Sequence, residues 1–179
     1  MAQQLLGRFG GLSGLFHAEA NAIEGLIGRR PDIALQLTLL GDLVRETLRD
    51  RAHGMTVFPT PQAVLDFVRF DMLGRRRETL RILYLDGGNH LLSDDIIAEG
   101  TVSSLTFHPR EVLRRAIEVN ASAMILVHNH PSSPPHASAE DIAATQCTAR
   151  LAAELGIILH DHLIIARGGW CSLRAEGHV

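Results

Sequence analysis

Apolar residues recur at helical spacing through the first part of the chain. In the opening stretch they are Leu5, Leu6, Phe9, Leu12, Leu15 and Phe16. Pro31 starts a new segment, and ALQLTLLGDLVRETLRD continues the helical spacing to about Asp50. The pattern predicts small helices joined by glycine-containing turns. The segment GMTVFPTP, residues 54–61, breaks the pattern with a glycine and two prolines, and it predicts a linker.

From Pro61 onwards, strand-like and helix-like patterns alternate. Helices are predicted for QAVLDFVRFDML, HPREVLRRAIEVN and residues 138–155. Strands are predicted for LRILYLD (residues 80–86), HLLSDDIIAEG, SAMILVHNH, GIILHDHLIIA and the short WCSLR. The first two strands form a hairpin across Gly87-Gly88. The alternation predicts an α/β domain over residues 56–179, with a mostly buried sheet, preceded by a helical region over residues 1–55.

Composition and charge narrow the classes of function. The chain has 179 residues, 46% of them hydrophobic, and a formal net charge of −3, which disfavours a nucleic-acid footprint over its whole surface. Cys147 and Cys171 lack CxxC spacing and indicate a reducing compartment. The opening residues lack a signal-peptide layout, and no apolar run is long enough to span a bilayer. We therefore expect a soluble, cytoplasmic protein without a membrane partner.

The segment HNHPSSPPHASAED carries the candidate chemistry. His128 and His130 lie two residues apart at the end of a predicted strand, so both imidazoles point to the same face. Ser138 and Asp141 open the following helix and share one side of its first turn. If that helix returns to the strand end, two imidazoles and one carboxylate form a ligand set that suits Zn²⁺ and leaves a fourth position for water.

Each part of this segment also has a purely structural explanation. Ser138 and Asp141 match a helix capping arrangement, with the serine at the N-cap and the acid at N3. His128 and His130 match hydrogen-bonded polar groups at a strand end. The pair and the acid together are harder to explain in this way, and capping and metal binding do not exclude each other.

The spacing H-x-H, seven residues, Ser, two residues, Asp is the signature of JAMM (MPN+) metalloproteases. The block HNHPSSPPHASAED, together with LRILYLD, REVLRRAIEVNA and DHLII, resembles RadC-like bacterial proteins over roughly residues 60–174. The resemblance implies a JAMM domain related to the cytidine-deaminase-like α/β fold. It implies zinc bound by His128, His130 and Asp141, with Ser138 stabilising an oxyanion.

Two departures from the family pattern lie between the implied ligands. Ser133 and Pro134 stand where RadC-like proteins usually have Gly and Asp, and Ala137 replaces a usual proline. None of these is a ligand position. The departures reshape the loop and bear on substrate access.

The family also requires a glutamate as general acid and base, upstream of the histidines. Glu78, just before LRILYLD, matches that position, and Glu99 is the second candidate. The structural alternative for Glu78 is a solvated acid beside three consecutive arginines, residues 75–77. The resemblance favours Glu78 as the residue that moves a proton from water to the leaving amine.

The remaining histidines have less support as ligands. His160 and His162 form a second H-x-H pair but lack a third ligand at convincing spacing, and Asp161-His162 matches a DHLI block expected to support the site. We expect His136 to be an exposed loop residue. Asn129 should point away from its two neighbours and bond to backbone.

Three functions follow as hypotheses. The first is a zinc hydrolase acting on an amide or isopeptide bond in an unidentified protein or peptide-like substrate. The second is a DNA-associated repair or recombination protein, because the helical region resembles the segment that in RadC-like proteins carries a helix-hairpin-helix, whose backbone amides bind DNA phosphate. Here the Gly-x-Gly hairpin is lost and Pro31 is gained, which leaves Arg29 and Arg30 as the candidate phosphate contacts and favours a degenerate helical adaptor. The third is a scaffold that binds zinc without turnover. Oligomerisation stays open.

Overall fold

The computed structural model describes residues 1–28, 30–52, 60–101, 107–131 and 134–179. The helical region consists of α1 (Ala2–Phe9), α2 (Leu12–Phe16), α3 (Ala20–Ile27) and α4 (Pro31–Ala52). Gly10 and Gly28 end α1 and α3 with φ values of 73° and 77°, a left-handed conformation that glycine adopts without strain. The predicted glycine-containing turns are therefore present. Residues 54–59 of the predicted linker, which spans residues 54–61, lie outside the described residues.

The rest of the chain alternates helices and strands as predicted. The elements are α5 (Pro61–Gly74), β1 (Thr79–Leu85), β2 (Leu91–Glu99), α6 (Pro109–Glu118), β3 (Ala123–His130), α7 (Ala139–Glu154), β4 (Ile158–Ala166) and β5 (Gly169–Ser172). They build one five-stranded sheet in the order β2-β1-β3-β4-β5. Among the strand pairings of the described residues, that of β3 with β4 is parallel and the other three are antiparallel, so the sheet is mixed.

Helices cover both faces of this sheet. Helix α5 packs Val68 and Met72 on one face, against Val127 and other side chains of the central strands. Helices α6 and α7 cover the other face, where Val112 and Ala152 belong to the core that contains Leu126. Because neighbouring residues of β3 enter different cores, every residue of that strand is buried. Burial on both faces explains its uninterrupted apolar sequence before the histidines.

The helical region, α1–α4, has a small core of its own. Buried charges join it to the sheet domain, which comprises α5 to β5. Asp71 of α5 accepts a hydrogen bond from His17, just after α2, at 2.8 Å. The same carboxylate binds Arg75 at 3.2 Å and Arg81 of β1 at 3.1 Å. Gly74 permits the close approach, because a Cβ atom there would lie 2.2 Å from the His17 ring. No helix among the described residues is long and apolar enough to cross a membrane.

Candidate metal centre

His128 and His130 end strand β3 on the face covered by α6 and α7. Their rings lie 4.7 Å apart between centroids and are nearly perpendicular, so the two imidazoles point to the same side as the alternation predicts. His128 is 1% exposed and His130 is 7% exposed. Asn129 between them points to the opposite face, where its side chain bonds to the backbone next to Glu78.

Asp141 is brought to the histidines by the start of α7. Ser138 caps this helix: its Oγ accepts a hydrogen bond from the Asp141 amide at 3.0 Å. In return, Asp141 Oδ2 accepts from the Ser138 amide at 2.9 Å and from its hydroxyl at 2.7 Å. The capping box fixes the carboxylate 3.2 Å from His128 Nδ1 and 3.5 Å from His130 Nε2. Capping and proximity to the histidines therefore coexist.

Glu78 reaches the same place from β1. It directly precedes Thr79, which pairs with Asn129 of β3, and its Oε2 lies 3.6 Å from His128 Nε2. Glu78 is 5% exposed, so it is not a solvated acid. Glu99, the second candidate, is exposed and forms an ion pair with Arg75 at 2.9 Å. Of the two glutamates, only Glu78 contacts the histidines.

The electrostatics of this group favour an ionised Asp141. Burial works against its charge, but the His128 and His130 imidazoles and the Ser138 hydroxyl outweigh it and hold the pKa of Asp141 far below its usual range. The Asp141 carboxylate in turn raises the pKa of His130 above its ordinary value, against the effect of burial. The carboxylate therefore stays negative, and His130 readily accepts a proton when no cation competes for it.

A metal ion fits this set of donors. Neither ring nitrogen of His128 has a hydrogen-bond partner among the described residues, although both are buried, and such atoms are rarely left unpaired. With bonds of about 2.0–2.1 Å, neighbouring ligands of a tetrahedral zinc ion lie roughly 3.3 Å apart. Asp141 Oδ1 lies 3.2 Å from His128 Nδ1 and Asp141 Oδ2 lies 3.5 Å from His130 Nε2, so each oxygen is close to this distance from one imidazole.

Two overlapping ligand sets are possible here. Donor atoms of Glu78, His128 and His130 lie within 4.8 Å of one another and could hold a metal ion. Asp141 contacts both imidazoles and completes the alternative set. The structure thus brings together the three predicted ligands and the predicted general base, without assigning a role to either acid.

Two buried residues, His162 and Thr145, lie behind the candidate metal centre. The sequence predicted a supporting role for His162 but not for Thr145. His162 of β4 is fully buried and stacks on His128, with ring centroids 6.2 Å apart and planes 15° apart. Its Nδ1 pairs with the Thr145 hydroxyl at 2.6 Å. The same hydroxyl donates to the Asp141 carbonyl at 2.5 Å. Thr145 was not predicted; its position four residues after Asp141, one helical turn away, is the signal for it.

The second H-x-H pair does not form a site. The pairing of β3 with β4 shifts register at Met124, beside His160, and His160 binds Asn89 at 2.8 Å instead of facing His162. Burial, together with the positive charge of the neighbouring imidazoles, lowers the pKa of His162 to about 3, so this ring is neutral. His136 is exposed, as expected. Ser133 lies outside the described residues.

A comparison with known proteins identifies the family of this chain. A family model described as the RadC-like JAB domain matches residues 58–178. The chain belongs to the RadC family. A curated UPF0758 protein from Rhodobacter capsulatus is 38% identical over 177 residues, which cover 99% of this chain and 83% of that protein. The predicted family and the α/β fold class are confirmed, whereas the boundary at residues 55/56 stays a prediction.

Within the RadC family match lie all four residues of the candidate metal centre, Glu78, His128, His130 and Asp141. The helical region precedes the matched segment, but the relative from Rhodobacter capsulatus aligns over nearly the whole chain. The likeness to this relative therefore extends into α1–α4.

Proposed function

We propose that this protein is a zinc-dependent hydrolase of the JAMM type that cleaves amide or isopeptide bonds. The observation that carries the proposal is the convergence of two buried imidazoles and two buried carboxylates where β1, β3 and α7 meet. Buried acids and histidines with unpaired ring nitrogens are costly for folding alone, so their grouping points to function.

In this proposal His128, His130 and Asp141 hold the zinc ion. A bound Zn²⁺ would supply a Lewis acid that polarises the substrate carbonyl and lowers the pKa of water towards neutrality. Asp141 suits ligation because Ser138 binds its Oδ2, while its Oδ1 faces His128 Nδ1 at 3.2 Å. The low pKa of Asp141 keeps this oxygen negatively charged.

Glu78 moves the proton. Its carboxylate takes a proton from the attacking water, whose oxygen bonds to the carbonyl carbon, and gives that proton to the amine as the C–N bond breaks. Glu78 suits this role because its carboxylate accepts no hydrogen bond from a described residue and has one close side-chain contact, with His128. An acid that shuttles protons must not be held in one protonation state by strong partners.

Ser138 is the proposed donor to the oxyanion of the tetrahedral intermediate. Its hydroxyl now donates to Asp141 Oδ2 at 2.7 Å and would have to turn towards the substrate. Asp141 Oδ2 would keep the hydrogen bond from the Ser138 amide at 2.9 Å. The N-cap of α7 therefore keeps this bond when the Ser138 hydroxyl turns towards the substrate.

The DNA-associated alternative has less support from the described residues. Arg30, one of the two expected phosphate contacts, forms two hydrogen bonds with Asp32, at 3.0 and 3.2 Å. Arg29 lies outside the described residues. We keep a protein or peptide-like chain as the proposed substrate, in a cytoplasmic setting.

Metal analysis of the purified protein tests the proposal. We expect about one zinc per chain, a marked loss in His128→Ala and Asp141→Asn, and retention in Glu78→Gln. A library of peptide and isopeptide bonds should then be cleaved by the wild type and not by Glu78→Gln.

The variants separate the competing explanations. Loss of metal in Glu78→Gln but not in Asp141→Asn would exchange the roles of the two acids. A wild type that takes up no zinc after reconstitution would refute the hydrolase. Zinc binding without cleavage of any substrate would favour the scaffold.

A further inference from the structure

Asn129 lies between the two histidines of the candidate metal centre and binds the backbone on either side of Glu78. It points to the other face of the sheet from the histidines, and it is 2% exposed. Its side-chain oxygen accepts a hydrogen bond from the Thr79 amide at 2.8 Å. Its side-chain nitrogen donates to the Arg77 carbonyl at 3.1 Å. One amide group thus holds both chain neighbours of Glu78.

Glu78 itself is held from the other side. Its amide donates to the Thr101 carbonyl at 2.8 Å, and its carbonyl accepts from the Gly100 amide at 2.8 Å. The short segment around Glu78 therefore runs between the residues that follow β2 and Asn129. Within the segment, the Thr79 hydroxyl also donates to the Arg77 carbonyl at 3.3 Å. Asn129 supplies two of these hydrogen bonds from one side chain, so a single substitution there releases both.

We propose that Asn129 is a positioning residue, which sets the place of the Glu78 carboxylate relative to His128 and His130. Since Asn129 is covalently joined to both histidines, any movement of the strand end that carries them also moves Glu78. The proposal rests on the proposed function, because it assigns Glu78 a task at the metal. Displacement of a reacting group by about 1 Å is enough to cost roughly 100-fold in rate.

A double-mutant cycle on the cobalt-loaded protein tests this role without a substrate. The visible spectrum of bound Co²⁺ is followed against pH in the wild type, Asn129→Ala, Glu78→Gln and the double variant. A nearby carboxylate disfavours further negative charge at the metal, so removing it should lower the pH midpoint, by about one unit or more. We expect Asn129→Ala to shift the midpoint in the same direction, and the double variant to match Glu78→Gln alone.

Controls separate positioning from loss of stability. Asn129→Leu keeps the branched shape of the side chain, at a larger volume, and removes both hydrogen bonds, so it should repeat the shift if Asn129→Ala folds poorly. Tyr84→Phe, in β1, removes one buried hydrogen bond, which the tyrosine hydroxyl donates to the Val112 carbonyl at 3.1 Å. Tyr84 lies near the far end of the strand from Glu78. This variant should leave the midpoint unchanged.

Three outcomes overturn the positioning role. One is an unchanged midpoint in both Asn129 variants while Glu78→Gln shifts it. Another is a double variant whose shift is the sum of the two single shifts, because Asn129 would then act independently of Glu78. The third is no shift in Glu78→Gln. A wild type that binds no cobalt or zinc is a different result, because it refutes the metal centre itself.

Discussion

Asp141 and Glu78, the two acids beside the histidines, are held in different ways. Asp141 accepts two hydrogen bonds from Ser138 and contacts both imidazoles. Glu78 is fixed through its backbone, and its carboxylate has one close side-chain contact among the described residues, with His128 Nε2 at 3.6 Å. A rigid, permanently charged acid suits ligation, and a less constrained one suits proton transfer.

As the pH falls, protons should compete with the metal for His130 at a higher pH than they compete for Asp141. Metal binding requires a neutral imidazole, and the pKa of His130 is raised by Asp141, whereas that of Asp141 lies far below its usual range. Metal affinity should therefore fall as the pH drops through the raised pKa of His130, by roughly tenfold per pH unit for one displaced proton. Competition with a chelator, measured from pH 8 to pH 5, gives the profile.

The exposed His90 provides the control for this profile. It pairs with Asp86 away from the metal centre, so His90→Gln should leave the dependence on pH unchanged. A metal affinity that stays constant down to pH 5 would contradict the involvement of both imidazoles.

At the scale of elements, the start of α7 combines a structural and a proposed chemical role. The capping box that begins the helix also orients Asp141 towards β3. Helix α5 begins with a simpler cap, in which the Thr60 hydroxyl accepts from the Ala63 amide at 3.3 Å. The two helices therefore offer matched N-caps, one inside the metal centre and one outside it.

Replacing the two caps by alanine separates the roles of Ser138. Both Ser138→Ala and Thr60→Ala should lower the free energy of unfolding by about 1 kcal/mol, the usual effect of losing an N-cap. Only Ser138→Ala should also reduce hydrolysis, by about 100-fold or more if its hydroxyl supports the oxyanion. Urea denaturation and rate measurements provide the two readouts. Equal rates in both variants would leave Ser138 with capping alone.

At the scale of the whole molecule, Asp71 joins the helical region to the sheet domain. It binds His17 beside α2, Arg75 at the end of α5 and Arg81 within β1. Burial opposes its charge, but the hydrogen bond from His17 and the two guanidinium groups hold the pKa of Asp71 well below its usual range. Arg81 is itself only 3% exposed, and Asp94 is its other partner.

Removing this charge should loosen the whole protein. Asp71→Asn removes one of the two carboxylates that pair with Arg81, which keeps Asp94, and we expect a loss of roughly 1–3 kcal/mol in the free energy of unfolding. Because the folded-state pKa of Asp71 is depressed, its contribution is fully present above about pH 4 and is lost as the pH falls towards the folded pKa. Chemical denaturation at pH 7 and at lower pH checks both statements.

A surface pair serves as the control for Asp71. Asp32 binds Arg30 in an exposed ion pair, so Asp32→Asn should change stability little. If the two variants were equally stable, the buried network would not be what connects the helical region to the sheet domain.

Local patterns were enough to predict most of the elements and three members of the site. The spacing of apolar residues predicted α5, α6, α7 and the five strands to within a few residues. Burial of one face of a helix, or of both faces of a strand, requires apolar residues at positions close together in the sequence, so the pattern can be recognised locally. The same local alternation placed His128 and His130 on one face. The Ser138-x-x-Asp141 cap was equally visible, because its hydrogen bonds join residues three apart.

Tertiary structure decided what these residues meet. The choice between Glu78 and Glu99 depends on the antiparallel register of β1 with β3, which pairs Thr79 with Asn129, 50 residues away, and follows from packing of the two cores. The stacking of His162 on His128 and the hold of Asn129 on the Glu78 segment depend on the same sheet. The sequence by itself determined which side chains are available and which way they point along each element. Only the non-local pairing of strands, driven by burial on both faces of the sheet, brought them within a few ångströms of one another.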